Sequence, residues 1–92
     1  MTTLQIEIAK VGHEQCLPLR QAVLWPGFPV EHCVVQGDAD AAHYAVSMDS
    51  QIICCLSVFT LSANVYQVRK FATAAEYQGQ GHGTALLSHA IN

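Results

Sequence analysis

Residues 52–61 are apolar at both odd and even positions, whereas a strand at a sheet surface alternates apolar and polar side chains. Because successive side chains of a β-strand point to opposite faces, this pattern indicates a strand that is covered by protein on both faces. Its longest unbroken apolar run, residues 52–56, is far shorter than the ~18 residues that span a bilayer. The sequence therefore predicts a sheet with this strand near its centre.

The rest of the sequence supplies neighbouring strands and covering helices. A first strand is predicted where Leu4, Ile6 and Ile8 alternate with polar residues. The other predicted elements are a helix over about 14–24 with Cys16, Leu19 and Val23 on its buried side, a turn at Gly37-Asp38-Ala39-Asp40, a strand with Tyr44, Val46 and Met48, a turn at Asp49-Ser50, the strand over 52–61, a strand over about 65–73, and a helix from Thr84 with Leu87, Ala90 and Ile91 on one side. Pro18 fits a helix only in the first turn. This order predicts an α/β (α+β) domain with helices folded onto the sheet.

The composition of the chain limits the classes of protein to which it can belong. Ninety-two residues are expected to form one domain over residues 1–92, and 51% apolar residues exclude disorder. Only 12% of the residues are charged, against ~25% in an ordinary domain, so some apolar surface is expected to meet a partner. With four Lys and Arg and a net charge of −3, the chain has no basic stripe, which argues against nucleic acid as a partner.

Neither the cysteines nor the histidines predict a metal site. Cys16, Cys33, Cys54 and Cys55 include no C-x-x-C pair, and neighbouring strand residues such as Cys54 and Cys55 point to opposite faces. His82 and His89 are too far apart along one helix to share an ion. The chain begins without a basic segment followed by an apolar one, so we expect buried, reduced thiols and a cytoplasmic protein.

The segment Gln78-Gly79-Gln80-Gly81-His82-Gly83-Thr84 places three glycines at alternate positions just before the last predicted helix. It fits neither the dinucleotide fingerprint G-x-G-x-x-G nor the P-loop, which needs a lysine before Ser or Thr. Glycines nevertheless let several backbone N–H groups converge, and the positive end of the helix dipole adds to them. The segment therefore predicts a site for an anion such as a pyrophosphate.

The same segment, with the strand before it, resembles the acetyl-coenzyme A (CoA) motif of the GNAT N-acetyltransferases. The core of that motif is Arg or Gln, two residues, Gly, one residue, then Gly or Ala, and Gln78, Gly81 and Gly83 match it. Further matches in the first helix and the turns after it, at Leu19-Arg20, Val23-Leu24, Pro26-Gly27 and Gly37-Asp38, extend the resemblance over nearly the whole chain. It implies a mainly antiparallel sheet with flanking helices in the order β-α-β-β-β-α.

The resemblance also implies a ligand and the residues that bind it. Acetyl-CoA would be the co-substrate, its acetyl group passing to an amine of an unknown acceptor, with no metal involved. Phe71, Ala72 and Thr73 would bind the pantetheine arm through backbone groups. N–H groups would bind the pyrophosphate at Gln78, Gly79, Gln80, Gly81, His82, Gly83 and Thr84, where Gly81 and Gly83 leave room for its approach. No catalytic base is assigned, because the strand carries the cations Arg69 and Lys70 and because Glu76 occupies a loop position.

A complete GNAT domain continues with further strands and a helix, whereas this chain ends at Asn92. The sequence is therefore expected to be truncated at its carboxy-terminal end relative to such a domain. Three functions stay open: an N-acetyltransferase; a truncated GNAT-like domain that binds CoA, or only associates with a partner chain, without catalysis; and a structural module that pairs through a strand edge. The strand over 65–73 would be last in the sheet, which predicts a homodimer or another strand-edge association.

Overall fold

Four strands and two helices form the part of the chain that the structure, a computed structural model, describes: residues 5–91. In chain order they are β1 (Ile6–Val11), α1 (His13–Val23), a 3₁₀ turn (Val30–Cys33), β2 (Ala42–Met48), β3 (Gln51–Ser62), β4 (Val65–Thr73), a second 3₁₀ turn (Ala75–Tyr77) and α2 (His82–Ile91). The predicted order is confirmed. Leu4, which was expected in the first strand, lies outside the described residues.

The strands form one antiparallel sheet in the order β1-β2-β3-β4. The twelve-residue strand β3 lies between β2 and β4, and residues 53–57 are buried. Asp49 and Ser50 form the turn between β2 and β3, with φ angles of 49° and 72°. The prediction of an interior strand covered on both faces is therefore confirmed.

Each face of the sheet carries its own apolar cluster under one helix. The cluster beneath α1 contains Cys16, Leu19, Ala45, Cys55 and Ala72. The cluster beneath α2 contains Val46, Ile53, Cys54, Leu56 and Leu86. Cys54 and Cys55 thus lie on opposite faces, as predicted, and all four cysteines are buried free thiols. Of residues 5–91, no helix is both long enough and apolar enough to cross a bilayer.

A buried ion pair ties α1 to the loop before β2. Arg20 is fully buried and donates two hydrogen bonds to the carboxylate of Asp38, with N–O distances of 2.7 and 3.0 Å. It also donates to the carbonyl of Cys33 (3.0 Å) and to Ser57 Oγ on β3 (2.9 Å). Burial opposes ionisation of Asp38, but the hydrogen bonds from Arg20, the Val35 N–H and the positive charge of Arg20 act together to hold the pKa of that carboxyl below its usual value. The predicted turn at Gly37–Asp40 is therefore also an anchor for α1.

Two features of the helices differ from the sequence expectations. Pro18 is the sixth residue of α1, not a first-turn residue, so the carbonyl of Glu14 lacks its helical donor. The helix tolerates this because Pro18 and Glu14 are exposed, where solvent can satisfy the carbonyl.

The second helix begins earlier and faces the sheet differently than expected. It starts at His82 instead of Thr84, so that His82 and Gly83 belong to its first turn. Leu86 is fully buried, whereas Ile91 is 69% exposed. At ~100° per residue Ile91 lies about 140° around the helix from Leu86, so the buried side is centred on Leu86 with Leu87 and Ala90 beside it.

Candidate functional site

Strand β4 contains a β-bulge near its carboxyl end. Cys55 pairs with Ala72 and Ser57 pairs with Arg69, so two steps along β3 match three along β4. Lys70 and Phe71 lie between these two pairs and form the bulge. Lys70 has a φ of 55°, which is unusual for a residue with a side chain. Among the described strands β4 has a neighbour on one side only, so its other edge is free.

The bulge directs consecutive side chains towards different helices. Lys70 is half-buried, and its Nζ lies 5.0 Å from the centre of the Trp25 ring, just after α1. The ring of Phe71 lies against the start of α2, where a Cβ built on Gly83 would be 3.1 Å from Phe71 Cε1 and Cζ. Gly83 therefore lets α2 approach β4, a packing role that the sequence motif did not indicate.

The backbone groups of Thr73 point to the free edge of β4. The Ala74 N–H donates to the Ile53 carbonyl (2.8 Å), and Thr73 lies opposite Cys54. In an antiparallel ladder this makes Thr73 and Cys54 a non-hydrogen-bonded pair, and the next pair, Ala72 and Cys55, a hydrogen-bonded one. The backbone groups of Ala72 are therefore directed at β3, and those of Thr73 are directed outward.

The loop after β4 is held by two glutamine side chains and two glycines. Gln78 Nε2 donates to the Thr73 carbonyl, and Gln80 Nε2 donates to the Glu76 carbonyl, each at 3.0 Å. Gly79 and Gly81 have φ angles of 76° and 86°, a region that residues with a Cβ rarely adopt. Gln78 thus fixes the loop to the end of β4, and Gln80 fixes it to the 3₁₀ turn, roles that the sequence motif did not reveal.

A row of unbonded N–H groups follows from this arrangement. Within residues 5–91, no N–H of residues 79–84 donates to a protein acceptor. By contrast, the Gln78 N–H bonds to the Ala75 carbonyl (3.4 Å), and the Ala85 N–H bonds to the Gly81 carbonyl (3.0 Å). Residues 82–84 are the first turn of α2, whose dipole is positive at this end. Loop and helix start together present donors to an anion.

His82 lies between the loop and the core. Its ring meets the Tyr77 ring edge-on, with centroids 6.1 Å apart, and its Nε2 is buried without a partner among residues 5–91. An open groove lies on the α1 side of the same segment, as two adjoining cavities of about 580 and 400 Å³. Both cavities are lined by Leu19, Ala22, Ala74 and Glu76, so Glu76 is exposed to a groove beside the loop. No cluster of three or more His, Cys, Asp or Glu in residues 5–91 is arranged to hold a metal.

Solved structures share this fold. An IAA acetyltransferase from Bacillus cereus superposes with a TM-score of 0.71 at 17% identity, over 95% of this chain and 56% of that one. An N-acetyltransferase structure from Lactobacillus plantarum gives 0.72 at 21% identity, over 97% and 65%. A GNAT family acetyltransferase from Elizabethkingia anophelis, solved with acetyl-CoA bound, gives 0.66 at 22% identity, over 96% and 55%. The chain thus spans little more than half to two thirds of the length of these relatives.

At the level of sequence, no curated protein matches the chain. The family model for the acetyltransferase (GNAT) family matches residues 10–92, which is most of the chain. This match covers both helices, β2 to β4 and the glycine loop, and the solved structures agree with it in fold. The chain therefore belongs to the GNAT acetyltransferase family.

Proposed function

We propose that residues 1–92 form a GNAT-type domain that binds acetyl-CoA and transfers its acetyl group to the amine of an acceptor. The observation that carries this proposal is the row of unbonded N–H groups over residues 79–84, at the start of α2 and directly after a free strand edge. Converging backbone donors at a helix N-terminus favour a pyrophosphate, and a free strand edge favours an extended, amide-containing arm.

The geometry refines which residues would touch the cofactor. The N–H groups of Gly79, Gln80, Gly81, His82, Gly83 and Thr84 would bind the pyrophosphate, while Gln78 would act through its side chain by holding the loop. Thr73 would bind the pantetheine arm through its N–H, because that group points outward, whereas its carbonyl already accepts a hydrogen bond from Gln78 Nε2. Phe71 lies within the bulge. Ala72 is buried and its backbone groups are directed at β3, so Ala72 would shape the site without a direct hydrogen bond to the cofactor.

The test is a calorimetric titration of the folded protein with CoA and with acetyl-CoA. Gly81→Ala places a Cβ where φ is 86°, so the loop must move to relieve strain of ~1–2 kcal/mol, and we expect binding about tenfold weaker or worse. Gly27→Ala is the matched control, because Gly27 has a φ of 88° and, like Gly81, has nothing within 4 Å of an added Cβ. It should bind CoA like the parent. No binding by a folded parent protein would refute the proposal.

A second candidate function is binding of CoA, or association with a partner, without acetyl transfer. Two cationic residues at the bulge favour this second candidate: Arg69 lies just before the bulge and Lys70 lies within it, and each contacts an aromatic ring. Neither suits removal of a proton from an ammonium. Release of free thiol from acetyl-CoA in the presence of primary amines would establish catalysis, and binding without release would favour the second candidate.

We also propose that the chain associates with a second copy through β4 and resides in the cytoplasm. The exposed large apolar side chains near the β3–β4 hairpin support the association: Leu61, Val65, Tyr66, Val68 and Phe71. The four buried free thiols suit a reducing compartment.

A further inference from the structure

Lys70 is held in a position that its residue type does not favour. Its φ of 55° lies in the left-handed region, where a residue with a side chain is strained by ~1–2 kcal/mol. The bulge and the Trp25 ring fix it there, with Nζ 5.0 Å from the ring centre. No carboxylate of residues 5–91 forms an ion pair with it. The fold thus places a half-buried amine, unpaired by any of these carboxylates, at the bulge of β4.

The proposed orientation of the cofactor brings its thioester to this amine. This inference therefore rests on the proposed function. If residues 79–84 bind the pyrophosphate and Thr73 binds the pantetheine arm, the arm runs along β4 from its carboxyl end towards its amino end. Lys70 lies three residues further along than Thr73, which is less than ~10 Å, because the bulge shortens the regular strand rise of ~3.3 Å per residue. The reactive end of the arm, which carries the acetyl group, is therefore directed towards Lys70.

We propose that Lys70 is a self-acetylation site of this domain. The ammonium first loses a proton to solvent, and the neutral Nζ attacks the carbonyl carbon of the thioester. The N–C amide bond forms, the C–S bond breaks, and its electron pair leaves on sulfur. The second nitrogen proton goes to the thiolate, giving free CoA and an acetylated lysine. The product lacks the positive charge, so the cation–π contact with Trp25 is lost.

The composition of the chain provides an internal control. Lys10 and Lys70 are its only lysines, and Lys10 is exposed on β1, the opposite edge strand. Uncatalysed acetylation of lysine favours an accessible side chain, so chemical background should modify Lys10 at least as fast as the half-buried Lys70. Delivery of the thioester by a bound cofactor should reverse that preference.

The experiment incubates the purified protein with acetyl-CoA and follows each lysine by peptide mass spectrometry, which also separates modification of the amino terminus. We expect Lys70 to be acetylated at least about tenfold faster than Lys10, as proximity predicts. Excess CoA should suppress modification of Lys70 and leave Lys10 unchanged. Lys70→Arg should abolish the fast phase, whereas Lys10→Arg should preserve it.

Calorimetry with CoA on the same samples separates this inference from the proposed function. Binding of CoA, with Lys70 modified no faster than Lys10 or unprotected by CoA, would overturn self-acetylation and leave the proposed function standing. Absence of CoA binding by the folded protein would overturn both.

Discussion

Arg20 is a fully buried cation whose charge is balanced by Asp38. Asp38→Asn keeps the shape of the side chain but leaves the guanidinium without a counter-charge, which costs about 3–5 kcal/mol in buried pairs of this kind. We expect a loss of that size in the free energy of unfolding, measured by urea denaturation at neutral pH. Asp40→Asn, in the same loop but exposed, should change it by less than about 0.5 kcal/mol. Equal effects of the two substitutions would contradict a specific ion pair.

The same pair predicts how stability depends on pH. The folded-state pKa of Asp38 lies below that of the unfolded chain, despite the opposing effect of burial, because Arg20 stabilises the carboxylate. The stabilisation is therefore fully present above the unfolded pKa of ~3.9 and is lost as the pH falls through the folded pKa. The difference in unfolding free energy between the parent and Asp38→Asn should shrink below about pH 4. A difference that stays constant down to pH 3 would argue against this linkage.

At the scale of residues, the sequence predicted the local role of single positions better than the contacts between residues distant in the chain. The turn residues Gly37 and Asp38 and the buried cysteines followed from local chemistry. The contact between Arg20 and Asp38 did not, because it joins residues 18 positions apart and nothing local specifies which charges meet. The packing of Gly83 against Phe71 was missed for the same reason, since a motif glycine looks alike whether it faces a ligand or a ring.

At the scale of elements, the turn between β2 and β3 carries backbone strain that a substitution can relieve. Asp49 and Ser50 both have positive φ angles, 49° and 72°, as in the two-residue turns that favour Asn or Asp followed by Gly. Asp49 also accepts a hydrogen bond from the Gln5 N–H, at 3.1 Å, so it should be kept. Ser50→Gly is expected to stabilise the protein by about 0.5–1 kcal/mol in urea denaturation. Ser62→Gly, at the exposed end of β3, should be slightly destabilising, and stabilisation by both would show a general glycine effect instead.

The elements themselves were largely predictable, whereas their ends and irregularities were not. The double-sided apolar pattern of residues 52–61 located the interior strand, and the turn residues bounded its neighbours. The bulge at Lys70 left no sequence signal, because lysine has no preference for a positive φ and register arises from pairing with β3. Gln78 and Gln80 were part of the motif, but their side-chain bonds depend on how the loop turns back on β4.

At the scale of the whole molecule, the structure shows where the apolar surface expected from the composition lies. Both outer strands of the described sheet have a free edge, but the exposed large apolar residues gather near β4. Tyr66 and Val65 are 64% and 50% exposed there, against a single comparable residue on β1, Ile6, at 54%. An uncapped, apolar strand edge is a template for another strand. This asymmetry is the physical reason to place the proposed association at β4.

The last prediction tests which edge associates. We expect the parent protein to sediment as a dimer at micromolar concentration, because pairing along β4 would bury apolar surface worth ~25 cal/mol per Å². Val65→Lys combined with Tyr66→Lys should give a monomer, since like charges would face each other at a desolvated interface. Ile6→Lys places one lysine at a similarly exposed apolar position on the opposite edge, and this variant should remain dimeric. A monomeric parent would refute the association, and dissociation by Ile6→Lys alone would place the interface at β1 instead.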